Sequence, residues 1–568
     1  MYILGIWDGH DSGAALIDDK SVVYAANEER FTKRKLEIEF PYHSIAAALK
    51  YAHIKPTDIE HIAYTTTELT KTIERIVPNM KENYYKFRRR KISQPSFEHL
   101  RRKIKYNMTT IGPLPLCRAI SSFAISRRLR SMGFSNFKLH AVEHHAAHAA
   151  SAAYTSGLNK GLVITMDGLG DGLSGTASIL SDGKLERVAS IRARDSIGIL
   201  YEQVTNLVGM RELEDEGKVM AMADFSYPFE FKDNQLGNFF DLTGTHLHAR
   251  YSPSKQYDML RSIGWRLPRE QFGYMAQQLI EGIMVKLISN YVDRHNIHDI
   301  AVAGGLFSNV KMNMLVRGLD NVNSMYIFPH MGDGGIALGA ALHAANEISG
   351  RSSFGFSAYL GNSYTEDETE AEIKKERAFV HERVGLKESA KHAAELISDG
   401  NYLMWFNGRM EYGPRALGDR SILATSESES VKERLNLYVK RREWFQPFAP
   451  SVLESDVNSI FDYDGKGYDR YMTSAYMMKK DLQNIEKSVI HVDGTARPQM
   501  VGKENPVYMD MLAHVRKLTG RGIVLNTSFN IHGMPIVMDV HDAVETMKYT
   551  ATKYMFINGI FVTNRKGI

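Results

Sequence analysis

Apolar residues near the start of the chain fall in short runs rather than helical stripes. Residues 2–27, YILGIWDGHDSGAALIDDKSVVYAAN, read as an apolar strand, an Asp-Gly turn, a small-residue strand, a polar turn and a third strand. Residues 161–190, GLVITMDGLGDGLSGTASILSDGKLERVAS, repeat that plan. In each copy Gly follows Asp behind the first apolar run, at Asp8-Gly9 and Asp167-Gly168, and DDK or SDGK joins the next two runs. Any two hairpins can be aligned, but hairpin geometry does not require Asp-Gly behind the first strand.

The repeat therefore predicts a duplicated α/β unit with both Asp-Gly turns facing one cleft, as in the actin-like ATPase (ASKHA) architecture. Between the copies, about 68–135, lies a helix-rich insertion carrying KFRRRK (86–91), RRKIK (101–105) and RRLR (127–130). Such runs are expected to be solvated helix faces, with an anionic substrate or RNA as the alternative. Later, IAVAGGLFSNVKMN (300–313) and MYIFPHMGDGGIALGAALHAA (325–345) each read as strand, Gly-rich turn and helix, a form that presents N–H groups to phosphate. Residues 346–366 are rich in Ser and Gly and break the periodicity. The expected domains are 1–350 and 356–568, the second a smaller α/β unit opening on the helix KESAKHAAELISDG and the strand NYLMWF.

Composition narrows the class. A chain of 568 residues exceeds one ordinary core. Lys plus Arg number 70 against 66 Asp plus Glu, which argues against a dedicated nucleic-acid binder. Cys117 is the sole cysteine, so disulfides and cysteine-ligated metals are excluded and a reducing, cytoplasmic setting is expected. No apolar run approaches the roughly 18–20 residues of a membrane span, and MYILGIWDGHD does not read as a signal peptide.

The strand ends and one helix carry the candidate chemistry. In EHHAAHAASA, His144 and His148 are spaced i, i+4, which puts both rings on one helix face with Cβ atoms about 6 Å apart. Two nitrogens so placed can reach one metal at about 2.0–2.2 Å, whereas His145 points about 100° away. Asp167 and Asp333, each ending a strand at a Gly turn, are the candidate oxygen ligands. A His₂Asp₂ set admits iron, manganese or zinc. In the second domain GRMEYGPRALGDRS holds Arg409, Arg415 and Arg420, and VKRREW holds Lys440, Arg441 and Arg442. HVDGTARPQM adds Arg497, and IVLNTSFNIHGMP adds Asn526, Ser528 and Asn530. Guanidinium groups on Gly/Pro turns between apolar strands suit a polyphosphate or acyl phosphate.

Ten motifs in order then resemble one family, the O-carbamoyltransferases of the nodulation, cephalosporin and tobramycin type. They are HDSGAAL, EERFTKRK, EHHAAHAASA, MDGLGDG, DEGKVMAMA, AGGLFSN, GRMEYGPRALGDRSIL, VKRREWFQPFAPSVL, HVDGTARPQ and LNTSFNIHGMPIV. The basic insertion matches none of them. The resemblance implies an N-terminal Kae1-like domain and a C-terminal YrdC-like domain. The latter would convert carbamoyl phosphate and ATP to carbamoyl adenylate, with Mg expected beside ATP. The former, with Fe(II) as the expected metal, would pass the carbamoyl group to a hydroxyl of a small-molecule acceptor such as a sugar, antibiotic or polyol. Carried over, the ligands are His144, His148, Asp167 and Asp333, and the adenylate meets Gly304, Gly305, Asn309 and Lys218. Lys35, Arg415, Arg420, Lys440, Arg497, Asn526, Ser528 and Asn530 meet carbamoyl phosphate or ATP. Lys35 lies in the first domain, so its reach is the weakest point of that carry-over.

A base must take the acceptor's proton, and His10 with Asp11 beside it is the candidate, because an imidazole near neutral pKa suits that role. The competing enzyme reading is a tRNA threonylcarbamoyladenosine-type modification, with tRNA on the basic insertion. A hydrogenase-maturation carbamoyltransferase would need cysteine zinc fingers, which a single cysteine excludes. A non-catalytic ATP-binding scaffold would leave the arginines and histidines incidental. Nucleic acid and membrane are not expected as partners, and a homodimer is compatible with a chain of this kind.

Overall fold

The computed structural model describes residues 1–91, 104 and 106–567. They form two compact units, Met1–Glu28 with Leu36–Phe356, and Glu29–Lys35 with Ser357–Ile568.

Two five-stranded sheets make the frame of the first unit. Ile3–Trp7 pairs antiparallel with Gly13–Ile17, which pairs antiparallel with Val22–Asn27. On its other edge Ile3–Trp7 pairs parallel with His61–Thr65, which pairs parallel with Lys138–Val142. The second sheet repeats each relation. Lys160–Gly170 pairs antiparallel with Leu173–Ser181 and that with Lys184–Arg192, while Asp299–Ala303 and then Ser324–Ile327 continue parallel on the other side. Identical order and polarity in two sheets is the duplicated actin-like arrangement. Parallel neighbours need crossover helices, and these cover the sheet faces; ILGIW is accordingly buried at every position.

Small residues let two of those helices sit close. A Cβ on Gly5 would overlap the Ala337 carbonyl, so the helix Ile336–Ser349 lies directly on the first strand. A Cβ on Gly339 would overlap the Ala147 carbonyl, so the helix His144–Thr155 packs against Ile336–Ser349 at backbone distance.

The insertion forms helices Leu69–Ile76, Pro78–Arg88 and Pro115–Ser131. The solvated-face expectation holds for Arg127 and Arg130, which are exposed, and fails for Arg88 and Arg89, which are buried. RRKIK lies outside the described residues except for Ile104.

In the second unit an eight-stranded mixed sheet carries apolar cores on its two faces. It opens on the helix Glu366–Ile373 and the edge strand Phe379–Arg383, ahead of the helix Leu386–Ser398 and the strand Leu403–Phe406 expected to begin it. Among the described residues no helix is long and apolar enough to cross a membrane.

Candidate functional site

Glu143 caps the helix His144–Thr155 by accepting from the N–H groups of His145 and Ala146 at 3.1 and 2.9 Å. The capped first turn fixes where the histidine face points. His144 Nε2 and His148 Nε2 each lie 3.2 Å from Asp167 Oδ2 and 3.6 Å from Asp333 Oδ1. All four ligand atoms fall within 4.8 Å of one another. Atoms bound to one ion at about 2.0–2.2 Å and near-tetrahedral angles stand about 3.3–3.6 Å apart, so the donor set fits a single divalent ion.

Neighbours orient these donors. Thr66 Oγ lies 3.0 Å from His144 Nδ1, which leaves Nε2 for the cluster. Thr66 has φ 65°, a rare and strained conformation for a β-branched residue, and it lies directly beside the centre. A Cβ on Gly170 would overlap the His144 ring. Asp167 lies in an irregularity between Met166 and Gly170 inside a strand that runs on to Gly170, rather than at the strand's end. Such a bulge re-aims a side chain. Asp167 Oδ1 also accepts from Gly168 N and Gly305 N, at 2.7 and 3.2 Å. Burial opposes a charged His144, but Asp333 and Asp167 outweigh it and raise the ring to about 10. His145 faces away, its Nδ1 2.9 Å from Thr165 Oγ, and burial next to His144 pushes it down to about 3.

The His10 turn does not match its expected role. An Arg88 Nη donates to His10 Nδ1 at 3.0 Å. Arginine has no acceptor, so Nδ1 supplies the lone pair and the ring proton sits on Nε2. Burial, then the Arg88 charge, holds His10 well below the usual histidine range. So held, His10 is a hydrogen-bond donor, and the general-base assignment is corrected. Asp11, at φ 59°, has its carboxylate against Gly334, next to Asp333, with His330 Nε2 at 3.8 Å.

The adenylate residues divide. Gly304, at φ 105°, lies so near the Met166 backbone that a Cβ would overlap it, which is the close approach a glycine permits. Gly305 N is directed at Asp167, as above. Asn309 caps the helix Val310–Arg317 and exchanges hydrogen bonds with Gln277 at 2.8 and 3.0 Å. Lys218 lies 3.2 Å from Asp215.

In the second unit Lys440, Ser528 and Asn530 converge. Lys440 Nζ donates to Asn530 Oδ1 at 2.7 Å and to Ser528 Oγ at 3.1 Å. Burial, with Arg442 and Lys35 nearby, lowers Lys440 well below the lysine range. Residues Glu29–Lys35 cluster with this unit, which places Lys35 there rather than in the first domain. Burial, then the neighbouring Arg415, depresses Arg497. Burial alone brings Arg415 down to about 10, still charged at neutral pH.

Two candidates are engaged otherwise. Arg420 is fully buried, 3.5 Å over the Phe406 ring, and donates to the carbonyls of Asn407 and Asp419 at 2.8 and 2.9 Å. Asn526 donates to Ser451 Oγ and the Ala416 carbonyl at 2.9 and 3.1 Å. Both hold the loop that carries Arg415. Sequence reasoning also left out Thr66 and the buried Lys71 and Lys81, and no motif marked them; the buried Arg88 lies in KFRRRK, for which an anionic substrate or RNA is the alternative reading.

The chain matches the family model described as carbamoyltransferase N-terminus over residues 2–342 and that described as carbamoyltransferase C-terminus over 394–564. It is similar to nodulation protein NolNO of Sinorhizobium fredii, 31% identical over 98% of this chain and 79% of that protein. Nodulation protein NolO of Bradyrhizobium diazoefficiens is 32% identical over 75% of this chain and 79% of its own length. The protein MJ1058 of Methanocaldococcus jannaschii is 34% identical over 78% of this chain and 77% of its own. The two α/β units and both matches together place this chain in the carbamoyltransferase family, as an enzyme that transfers a carbamoyl group to an acceptor.

Proposed function

We propose that the second unit makes carbamoyl adenylate and the first passes its carbamoyl group to a hydroxyl of a small-molecule acceptor. The observation that carries this reading is the buried cation set Arg415, Arg442, Arg497 and Lys440, where burial and mutual repulsion depress the charges and Asp469 and Glu443 are the carboxylates that offset them. Such a cluster favours an anion of high charge, which carbamoyl phosphate and ATP supply. Carbamoyl phosphate, one water and ATP give carbamoyl adenylate, with phosphate and pyrophosphate leaving. Arg415 and Arg497 bind the phosphates, and Lys440 lies against the oxygens of Ser528 and Asn530, with the Arg442 charge acting on both Lys440 and Arg497.

In the first unit His144, His148, Asp167 and Asp333 would hold one divalent metal, with Fe(II) our assignment. When bound, such an ion supplies Lewis-acid stabilisation of developing negative charge. Thr66 fixes the His144 tautomer, and Asp11, at the Asp333–Gly334 turn, takes the proton of the acceptor hydroxyl. His10 offers its Nε2 proton as a donor to the bound groups. Adenylation makes AMP the leaving group in place of phosphate.

Incubating the full chain with ATP, labelled carbamoyl phosphate and a panel of sugars, aminoglycosides and polyols tests the reading. A carbamoylated product accompanied by AMP and pyrophosphate is expected. Product formed without ATP would overturn the adenylate step.

A further inference from the structure

The insertion buries more positive charge beside the His10 turn than the fold uses. Arg75 meets the Asp8 carboxylate bidentately, Nε to Oδ2 at 3.0 Å and Nη2 to Oδ1 at 2.8 Å, and also donates to the carbonyls of Thr65 and Thr66, while Lys71 Nζ stands 3.5 Å from Asp8 Oδ1 and Arg128 3.8 Å from Asp8 Oδ2. Lys71 Nζ and Lys81 Nζ nevertheless both point at one acceptor, the Asp8 carbonyl, at 2.7 and 2.6 Å. A carbonyl oxygen does not need two ammonium ions. Among the described residues Arg88 donates to neutral His10 instead of a carboxylate, and its Nε is buried without a hydrogen-bond partner. Lys71, Lys81 and Arg88 are 5%, 6% and 4% exposed, so water does not solvate these charges. Among the described residues the carboxylates that act on Lys71 or Lys81 are Asp8, Glu74 and Glu39. The adjacent Arg89 is matched by Glu214 at 2.9 Å, which shows what a satisfied cation in this segment looks like.

The cluster adjoins the transfer centre. Trp7 has the Lys71 ammonium 4.8 Å over its ring and the His144 ring 6.2 Å away, edge to face. His10 feels both the insertion's cations and the Asp167 charge. Burial, then repulsion from Lys71, lowers Lys81 to about 7, as for an ammonium awaiting an anion.

We propose that Lys71, Lys81 and Arg88, with the His10 Nε2 proton, form an anion subsite in the first unit, and that the hydroxyl acceptor carries a phosphate seated there. Two ammonium ions and a guanidinium suit a phosphate group, as monoester or diphosphate. The inference rests on the proposed transfer. The acceptor oxygen bonds to the carbamoyl carbon, the bond from that carbon to the adenylate oxygen breaks, AMP leaves with the electron pair, and the hydroxyl proton goes to Asp11. The phosphate is a handle, not a reacting group. It fixes the acceptor so that its hydroxyl, rather than water, meets the carbamoyl group.

The experiment is titration calorimetry on the full chain bearing Arg415→Ala and Arg497→Ala, which weakens phosphate binding by the second unit. Glucose, glucose 1-phosphate and UDP-glucose are the probes; the last two separate a monoester from a nucleotide diphosphate. At least one phosphorylated probe should bind about tenfold or more tighter than glucose, one charge-assisted contact amounting to about a factor of ten. That preference should vanish with Lys81→Met or Arg88→Gln and persist with Lys81→Arg. Equal binding of all three probes, or a preference that survives both neutralising variants, overturns the proposal. Competition of AMP with the sugar phosphate for the same cations would assign them to the adenylate and overturn it too. If the preference holds while the unsubstituted chain releases no pyrophosphate, the subsite stands and the transfer reading fails.

Discussion

Single side chains decide most of this chemistry. His144→Ala removes one ligand and leaves His148, Asp167 and Asp333, an incomplete set; bound metal, read by elemental analysis, should be lost together with carbamoyl transfer. Asp11→Asn keeps the four ligands, so metal should stay while the transfer rate falls roughly 100-fold or more, the usual loss when a proton acceptor goes. Loss of metal in Asp11→Asn would refute that separation. Lys81 gives a pH signature. Its folded pKa, about 7, lies below the ordinary lysine value, because burial and Lys71 disfavour the charged form. Charged Lys81 therefore destabilises the fold fully below pH 7, and the penalty fades as pH rises toward the lysine range, where the unfolded chain holds the extra proton. Lys81→Met should raise the melting temperature at pH 6 and raise it less at pH 9. The ligand quartet was legible because i, i+4 spacing and Asp-Gly turns are local patterns. The correction to His10 was not, since it depends on Arg88, a residue of a separate helix whose burial no charge pattern reveals.

At the scale of elements, the repeat was readable because strand polarity follows from short apolar runs and their turns. Asp8-Gly9 and Asp167-Gly168 do mark equivalent strands of two sheets with one topology. What stayed hidden is how close the helices lie. The alanines of His144–Thr155 look like plain helix formers, yet Gly339 meets the Ala147 carbonyl so tightly that a Cβ would overlap it. Gly339→Ala should cost about 1 to 3 kcal/mol in chemical denaturation, from overpacking, and shift the histidine face. Unchanged stability would mean the two helices are not held at backbone contact. The bulge at Asp167 was also unreadable, since a run of apolar residues followed by Asp-Gly-Leu-Gly looks like a strand that has ended. The KFRRRK run is solvated at Lys86, Arg90 and Lys91 as expected, but not at Arg88 and Arg89, for a related reason. Its period places Lys81, Tyr85 and Arg88 on one buried face, where a charge count sees only basic residues.

At the scale of the whole chain, two chemistries are assigned to two units, and each has its own cation set. In the second unit the arginines on Gly/Pro turns announced themselves in sequence, whereas Arg420 and Asn526 shared the same motifs but proved to be braces for the loop bearing Arg415. Type and motif do not separate a group that binds from one that supports; the hydrogen bonds do. Arg415→Ala should cut adenylate formation roughly 100-fold or more, the scale of losing one preorganised charge at a transferring phosphoryl group. The most direct measurement is pyrophosphate release by the purified full chain supplied with ATP and carbamoyl phosphate, without any acceptor. Release that needs both substrates and collapses in Arg415→Ala is the predicted result. No release, or release indifferent to carbamoyl phosphate, would contradict the account.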